Sequence, residues 1–343
     1  MPSPEVDPAQ QAGQLADAYA EAGNYQRARE VLGQLLSQNP NDPVLLAGYA
    51  RAEYMLGNYP SAARSAYAAL GNDPLNAFAV RIYALSLDEL GRNYDARWVA
   101  YRGVLAHPND PLQHRVYARL LHNSRQHASA LWVVDEALRL DPASTDALIL
   151  RGSILHDLDR IDESDTAYGQ ALTLSPGNAQ ALNNLAVNRL RRYRFGRALR
   201  GFLGAAGSDP ELGDLARRNI AVVLRKVFRL VSPVAAVVSF LVALTSGLHG
   251  EGHSTASLRV VLGLLTAVLV GVLGWLIRTI PHRLLRSVLR GQYLSNMRLG
   301  HAVLAAAAGA WTTVWPVTAG VAVGGILTLT GLLFFRMGLY SGR

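Results

Sequence analysis

The sequence predicts an all-α chain: a solenoid of about six helix–turn–helix repeats, then a four-helix transmembrane domain. Two observations predict it. Proline recurs every 34 residues, at Pro40, Pro74, Pro108, Pro142, Pro176 and Pro210. A fixed period of that length marks a stacked array in which each repeat is one supersecondary unit. Beyond Arg229 the chain then runs through long uncharged stretches, of the length a bilayer core asks of a helix.

Residues 1–8 form a short tail with neither a basic region nor an apolar core, so they do not read as a signal peptide. The array covers 9–212, with repeats at about 9–42, 43–76, 77–110, 111–144, 145–178 and 179–212. Small residues recur in phase with the proline. The first helix of each repeat carries Ala16, Ala50, Ala84, Ala118, Gly152 and Ala186. The second carries Ala28, Ala62, Ala96, Ala130, Ser164 and Ala198, and then Leu35, Ala69, Gly103, Ala137, Ala171 and Ala205. Small side chains let paired helices approach closely, while Leu87, Leu121 and Leu155 fill the space between. Gly23, Gly57 and Gly91 stand where the first helix must stop, in the left-handed conformation that glycine adopts easily. Each proline lacks the N–H that would continue the second helix.

This pattern resembles the tetratricopeptide repeat family. Tyr19 meets the tyrosine position of the first helix, and Tyr168 and Phe202 keep the aromatic position of the second. The leading tryptophan of the family motif is replaced throughout. The resemblance implies a partner-binding protein whose first helices line a groove. By that resemblance the groove residues are Arg51, Arg81, Arg115, Arg119, His122, His156 and Asn183, with Asp17 and Asp88 beside them. A guanidinium holds a carboxylate bidentately, so the expected ligand is a protein or peptide segment, an acidic one among the candidates. The alternative is that these arginines pair with neighbours such as Asp88 and Asp146. The chaperone-tail clamp of one subclass is absent: Gly13 and Asp17 stand where it needs lysine and asparagine.

The chain has 33 basic and 25 acidic side chains, a net of +8. Residues 1–210 carry −2 of this and residues 211–343 carry +10. A near-neutral array argues against nucleic acid as its partner. The absence of cysteine removes disulfides and thiolate metal sites.

Residues 213–229 read as a capping and connecting helix, and 230–340 as the transmembrane domain. Stretches 230–248 and 260–277 each fit one span. The stretch 299–335 is charge-free except for His301 at its edge, and is too long for one span. Trp311, Trp315 and Pro316 near its middle imply a turn between two shorter spans. Arginine is concentrated before the first span, between the second and third, and in the tail. The positive-inside rule then places the array and the C-terminus in the cytoplasm of a multi-pass inner-membrane protein. After Pro281, the residues Leu284, Leu285, Val288 and Leu289 share a helical face flanked by Arg283, Arg286 and Arg290. One reading is a helix lying on the inner leaflet with these arginines on membrane lipids; the other is a plain loop.

No nucleotide-binding loop and no nucleophile elbow occurs, so no enzyme and no cofactor is expected. His249, Glu251 and His253 lie close in a Gly-rich loop and read as a solvated turn, not a metal site. The other histidines, His107, His114, His122, His127 and His156, follow the repeat spacing. Gly320 and Gly324 form a Gly-x-x-x-Gly pair that packs against Ala305–Gly309 within the hairpin, or else supports an oligomer through the spans. The functional expectation is a membrane-anchored scaffold that recruits a partner protein; the alternative is an accessory subunit of a membrane transport, secretion or envelope-assembly complex.

Overall fold

A computed structural model describes residues 8–209, 213–290, 292–315 and 320–340, with side chains for all of these but 8–11, 283 and 335–340. Pro210, Pro316 and the side chain of Arg283 lie outside the described residues. Among the described residues every element is helical. The chain forms two compact units, 1–176 and 177–343.

The first unit holds five helix pairs. They are α1 (Pro8–Glu21) with α2 (Tyr25–Gln38), α3 (Pro43–Met55) with α4 (Tyr59–Asn72), and α5 (Ala77–Glu89) with α6 (Asn93–Ala106). Then come α7 (Pro111–Asn123) with α8 (His127–Leu140), and α9 (Thr145–Asp157) with α10 (Ile161–Leu174). The small-residue columns are the seams of these pairs: Ala28, Ala50, Ala62, Ala84, Ala96, Ala118 and Ala130 are wholly buried. In the fifth pair Ser164 replaces alanine and donates its hydroxyl to the Gly152 carbonyl at 2.7 Å. That bond removes the cost of burying a hydroxyl.

Odd-numbered helices start with strong caps. Asp42, Asn76, Asp110 and Ser144 each accept a first-turn backbone N–H, which satisfies a donor that the helix leaves orphaned. The glycine stops are as expected, with φ of +75° at Gly23, +79° at Gly57 and +76° at Gly91. The equivalent positions of the later repeats keep this geometry without glycine: Arg125 has φ +59°, Asp159 +63° and Tyr193 +56°. The closing hydrogen bonds of the turn, such as Arg125 N to His122 O at 2.9 Å, hold the conformation where the residue itself disfavours it.

The second unit begins with the sixth pair, α11 (Ala179–Arg191) and α12 (Phe195–Ser208), and continues into α13 (Gly213–Gly250). The connecting helix and the first apolar stretch are therefore one helix of 38 residues, with Pro233 in its interior. Phe202, Ile220, Leu224 and Phe228 join α12 to α13 in a core that runs on through Val238 to Leu262 and Leu269. The other elements are α14 (Ala256–Thr279), α15 (His282–Leu289), α16 (Tyr293–Val314) and α17 (Gly320–Tyr340).

Two sequence expectations are corrected here. Gly320 and Gly324 pack against α13, not against α16. A Cβ on Gly324 would sit 2.5 Å from the Ala243 nitrogen and 2.7 Å from the Ser239 carbonyl, and Gly320 abuts the Ser246 hydroxyl. That face is covered within the chain and is not free for an oligomer. His301 is 4% exposed, between α16 and α17, with Nε2 2.8 Å from the Leu327 carbonyl. The helix after Pro281 does form, but its apolar face meets protein: Val288 is buried, and Leu284, Leu285 and Leu289 pack on the same core. Arg286 and Arg290 stay exposed.

Among the described residues two helices, α13 and α14, are long and apolar enough to cross a membrane, and the apolar part of α17 is shorter. At 24 residues, α14 is about 36 Å long.

Candidate functional site

In the first unit the odd-numbered helices lie side by side, α3 on α5, α5 on α7 and α7 on α9, so their outward side chains form one face. That face holds the arginines expected in the groove, and the structure divides them into two kinds.

Arg81 and Arg115 are committed internally. Arg81 Nη1 donates to Asp110 Oδ2 at 2.8 Å, with the two side chains 15% and 26% exposed. The other oxygen of Asp110 caps α7 through the Leu112 N–H. Burial draws the Arg81 guanidinium below its ordinary pKa against the pull of Asp110, a sign that the pair is partly desolvated. Arg115, in the same place one repeat later, pairs with Asp146 on the first turn of α9. The sequence alternative of pairing within the array thus holds for Arg115 and Asp146. Replacing Arg81 by alanine leaves a half-buried carboxylate without its charge partner. The expected cost is about 1.5–3 kcal/mol, read as a lower urea midpoint at unchanged helical content; an unaltered midpoint contradicts the strut role.

Arg51 and Arg119 are of the second kind. They stand two repeats apart at equivalent positions, with Leu85 between them, and neither forms an ion pair among the described residues. Arg119 is exposed. Burial raises the Tyr54 phenol, while Arg119 pulls it back down and Glu89 adds to the rise. Arg119, Tyr54 and Glu89 therefore share one electrostatic neighbourhood on this face.

A second ladder runs along the C-terminal ends of the same helices. Tyr54 donates to Glu89 at 3.4 Å, Asn123 to Asp88 at 2.8 Å, and His122 Nε2 lies 2.8 Å from Asp157 Oδ2. Each rung spans one repeat plus one residue. A carboxylate only accepts, so the His122 proton sits on Nε2. His127, at the start of α8, sets its ring 5.2 Å from that of His122. His122, His127 and Asp157 thereby bring donor atoms within 4.8 Å of one another. The repeat spacing hides this grouping, because the ligand-type atoms come from two neighbouring repeats. His156 has partners of its own. Asn183 lies in the second unit, 6% exposed, bonded to Asn219 at 2.8 Å and to Asn184 at 3.2 Å. It is a buried linker between α11 and α13 and stands apart from the exposed set.

In the second unit buried hydroxyls accompany the apolar core, and large apolar side chains also cover the outside. The helix interfaces hold Ser239, Thr245, Ser246, Thr266, His301 and Thr312, all buried. Large apolar side chains face outward, among them Phe240, Leu264, Val268, Ile277, Leu304, Ile326, Leu329 and Leu332. Only 22% of the most apolar window of α14 is buried. Contiguous exposed apolar surface of this extent marks an interaction or membrane surface. Arg259 ends α16 by donating to the Thr313 and Val314 carbonyls, both at 3.0 Å. His249, Glu251 and His253 are exposed, with His253 and Glu251 3.9 Å apart.

The compact units also sharpen the charge split. Residues 1–176 carry 14 basic and 21 acidic side chains, a net of −7; residues 177–343 carry 19 and 4, a net of +15. Arg189, Arg191, Arg192, Arg194, Arg197 and Arg200 of the sixth repeat, offset by Asp209, account for the difference from a division at residue 210.

Comparison with known proteins agrees with the fold. The tetratricopeptide repeat family model matches residues 19–65 and again 145–178, the latter being the fifth repeat. No curated protein sequence matches the chain. Among solved structures, the APC/C hetero-tetramer Cut9–Hcn1 is similar at 17% identity and a TM-score of 0.56, over 62% of this chain and 43% of that one. The chain thus spans less than half the length of that relative. Yeast Tom70 is similar at 17% identity and a TM-score of 0.49, over 62% and 46% of the two chains. YrrB, described as a TPR protein with an unusual peptide-binding site, gives 19% identity and 0.39, over 53% and 94%. At such identity the likeness to Cut9–Hcn1 speaks to the fold alone. Two stretches of the chain are thus tetratricopeptide repeats by their family models, and the same helix pair recurs from Pro8 to Ser208.

Proposed function

We propose that this protein is a non-enzymatic scaffold that holds a protein-binding repeat array at a membrane surface. The observation that carries the membrane part is the apolar outer surface of α13, α14, α16 and α17. Hydroxyls and glycines lie between the helices among buried valine and leucine, and further leucine, isoleucine and valine lie outside. Water makes that arrangement costly, whereas hydrocarbon makes it the favoured one, because small and hydrogen-bonding residues drive helix association in lipid. All four helices cross in this reading, with the array and the C-terminus on the side of the basic residues. Because α12 and α13 share one core, the last repeat is built into the membrane domain, not hung on a linker.

On the array, the face of α3, α5, α7 and α9 binds a segment of the partner. Arg51 and Arg119 make direct contact, since neither is spent on an internal pair. Arg81 and Arg115 shape the surface, and His122 and His156 lie at its rim. An acidic partner segment suits the two free guanidinium groups. Tethering would raise the effective concentration of any partner that is itself membrane-bound.

Two measurements test this. Alkaline carbonate should leave the full chain in the membrane pellet, and protease should digest the array in inverted vesicles but not in intact cells. Crosslinking pull-down from membranes should lose its main partner when Arg51 and Arg119 are both changed to alanine, by about tenfold or more for each contact. An unchanged set of captured proteins removes the face from consideration, and release by carbonate removes the membrane anchor.

A further inference from the structure

A group of cations stands at the start of α12 in the second unit. The first turns of α12 line a cleft of about 430 Å³ with Arg194, Phe195, Gly196, Arg197 and Arg200. All three arginines are exposed, and none pairs with an acid among the described residues. Neutralisation from within is scarce: residues 177–343 contain four acids. Asp209 has a partner of its own, Glu211 lies outside the described residues, Asp214 is taken by Arg217, and Glu251 lies beyond the far end of α13, next to His253.

What lies beside the cleft indicates what fills it. A Cβ on Gly196 would be 3.5 Å from Trp275 Cζ2, so the start of α12 rests on the last turns of α14. Trp275 is four residues short of the helix end at Thr279, and Ile277 just beyond it is 71% exposed. Tryptophan sits by preference at the level of lipid headgroups. Tyr193 is 68% exposed, packs edge-on to Phe195 at 6.0 Å and lies under the Lys226 ammonium at 5.8 Å. The cleft is therefore cationic within, aromatic at its border, and placed where an apolar helix ends.

We propose that this cleft binds the phosphate headgroup of an acidic phospholipid, in the leaflet at the Thr279 end of α14. The inference rests on the membrane reading above and adds a specific site to it. Guanidinium groups match phosphate oxygens in a planar, two-pronged geometry. The occupant is lipid and not a longer polyanion, because the three arginines converge on one short cleft beside exposed apolar surface. Bound there, the lipid would fix the sixth repeat against the bilayer.

The test uses the full chain in nanodiscs of phosphatidylglycerol and phosphatidylethanolamine, with retained lipid counted by native mass spectrometry. The variant R194Q/R197Q/R200Q, checked for unchanged helicity, should lose retained phosphatidylglycerol by about tenfold or more, with phosphatidylethanolamine unaffected. R286Q/R290Q, which removes two other exposed arginines, should keep it. Equal loss in both variants makes the effect one of general charge and overturns the site. Displacement of the lipid by glycerol phosphate or by single-stranded RNA also overturns the lipid assignment, in favour of a soluble phosphate or a nucleic acid. Carbonate extraction of the parent separates the two levels. A parent released from membranes ends both readings, whereas a membrane-held parent whose triple variant retains its lipid ends this one alone.

Discussion

Leu120→Ala is expected to destabilise the repeat array by about 2–5 kcal/mol, the cost of deleting a fully buried leucine from a core that cannot collapse around the gap. Leu120 has no exposed surface. It packs with Leu87, Ala96, Ala100 and Val116, which come from the third and fourth repeats. The alanines around it are too small to move into the space. In a linear array each repeat is stabilised mainly by its neighbours, so the loss should spread along the stack. Amides of α5 to α8 should lose protection from hydrogen exchange before those of α1 and α2, and the urea midpoint should fall. Uniform loss of protection across all ten helices, or none, would show that the repeats do not couple in this way.

Gly324→Val is expected to have the largest effect on the second unit. An added Cβ would meet the Ala243 nitrogen at 2.5 Å and the Ser239 carbonyl at 2.7 Å. Both are backbone atoms, so no rotamer change relieves the contact, and α17 must move away from α13. Overpacking of this kind typically costs about 1–3 kcal/mol. Separating two helices that are in close backbone contact loses further packing. The neighbouring glycine is the control: nothing lies within 4 Å of a Cβ on Gly325. In detergent or nanodiscs Gly324→Val should therefore lower the melting temperature of the second unit by several degrees, and Gly325→Val should not. Equal behaviour of the two variants would mean that α17 does not pack on α13 through this face.

Much of the fold was legible in the sequence for a physical reason. A helix pair that must stack on copies of itself needs small residues at the same contacts every time. It also needs a chain-breaking residue at the same exit. Alanine columns and a proline period are thus direct records of packing, and the uncharged stretches are direct records of long apolar helices. The left-handed stops were legible only where glycine occupies them. At Arg125, Asp159 and Tyr193 the turn's hydrogen bonds impose the same φ on residues whose identity carries no such signal.

The site was legible less far. The sequence places Arg51, Arg81, Arg115 and Arg119 on one helix face, yet all four look alike there. Only the tertiary structure brings Asp110 and Asp146 across the repeat boundary to Arg81 and Arg115, leaving Arg51 and Arg119 unspent. The same holds for His122, His127 and Asp157, for Asn183 under Asn219, and for His301 against Leu327. The glycine pair at 320 and 324 advertises close packing by itself but cannot name the helix it packs on. By itself, then, the sequence determined the helix pairs, their period and the apolar stretches, because local propensity and burial pattern act within one repeat length. Which of the groove arginines are paired and which small faces are covered were decided by contacts between residues about 30 or more positions apart, where distance in space is set by the stack and not by the chain.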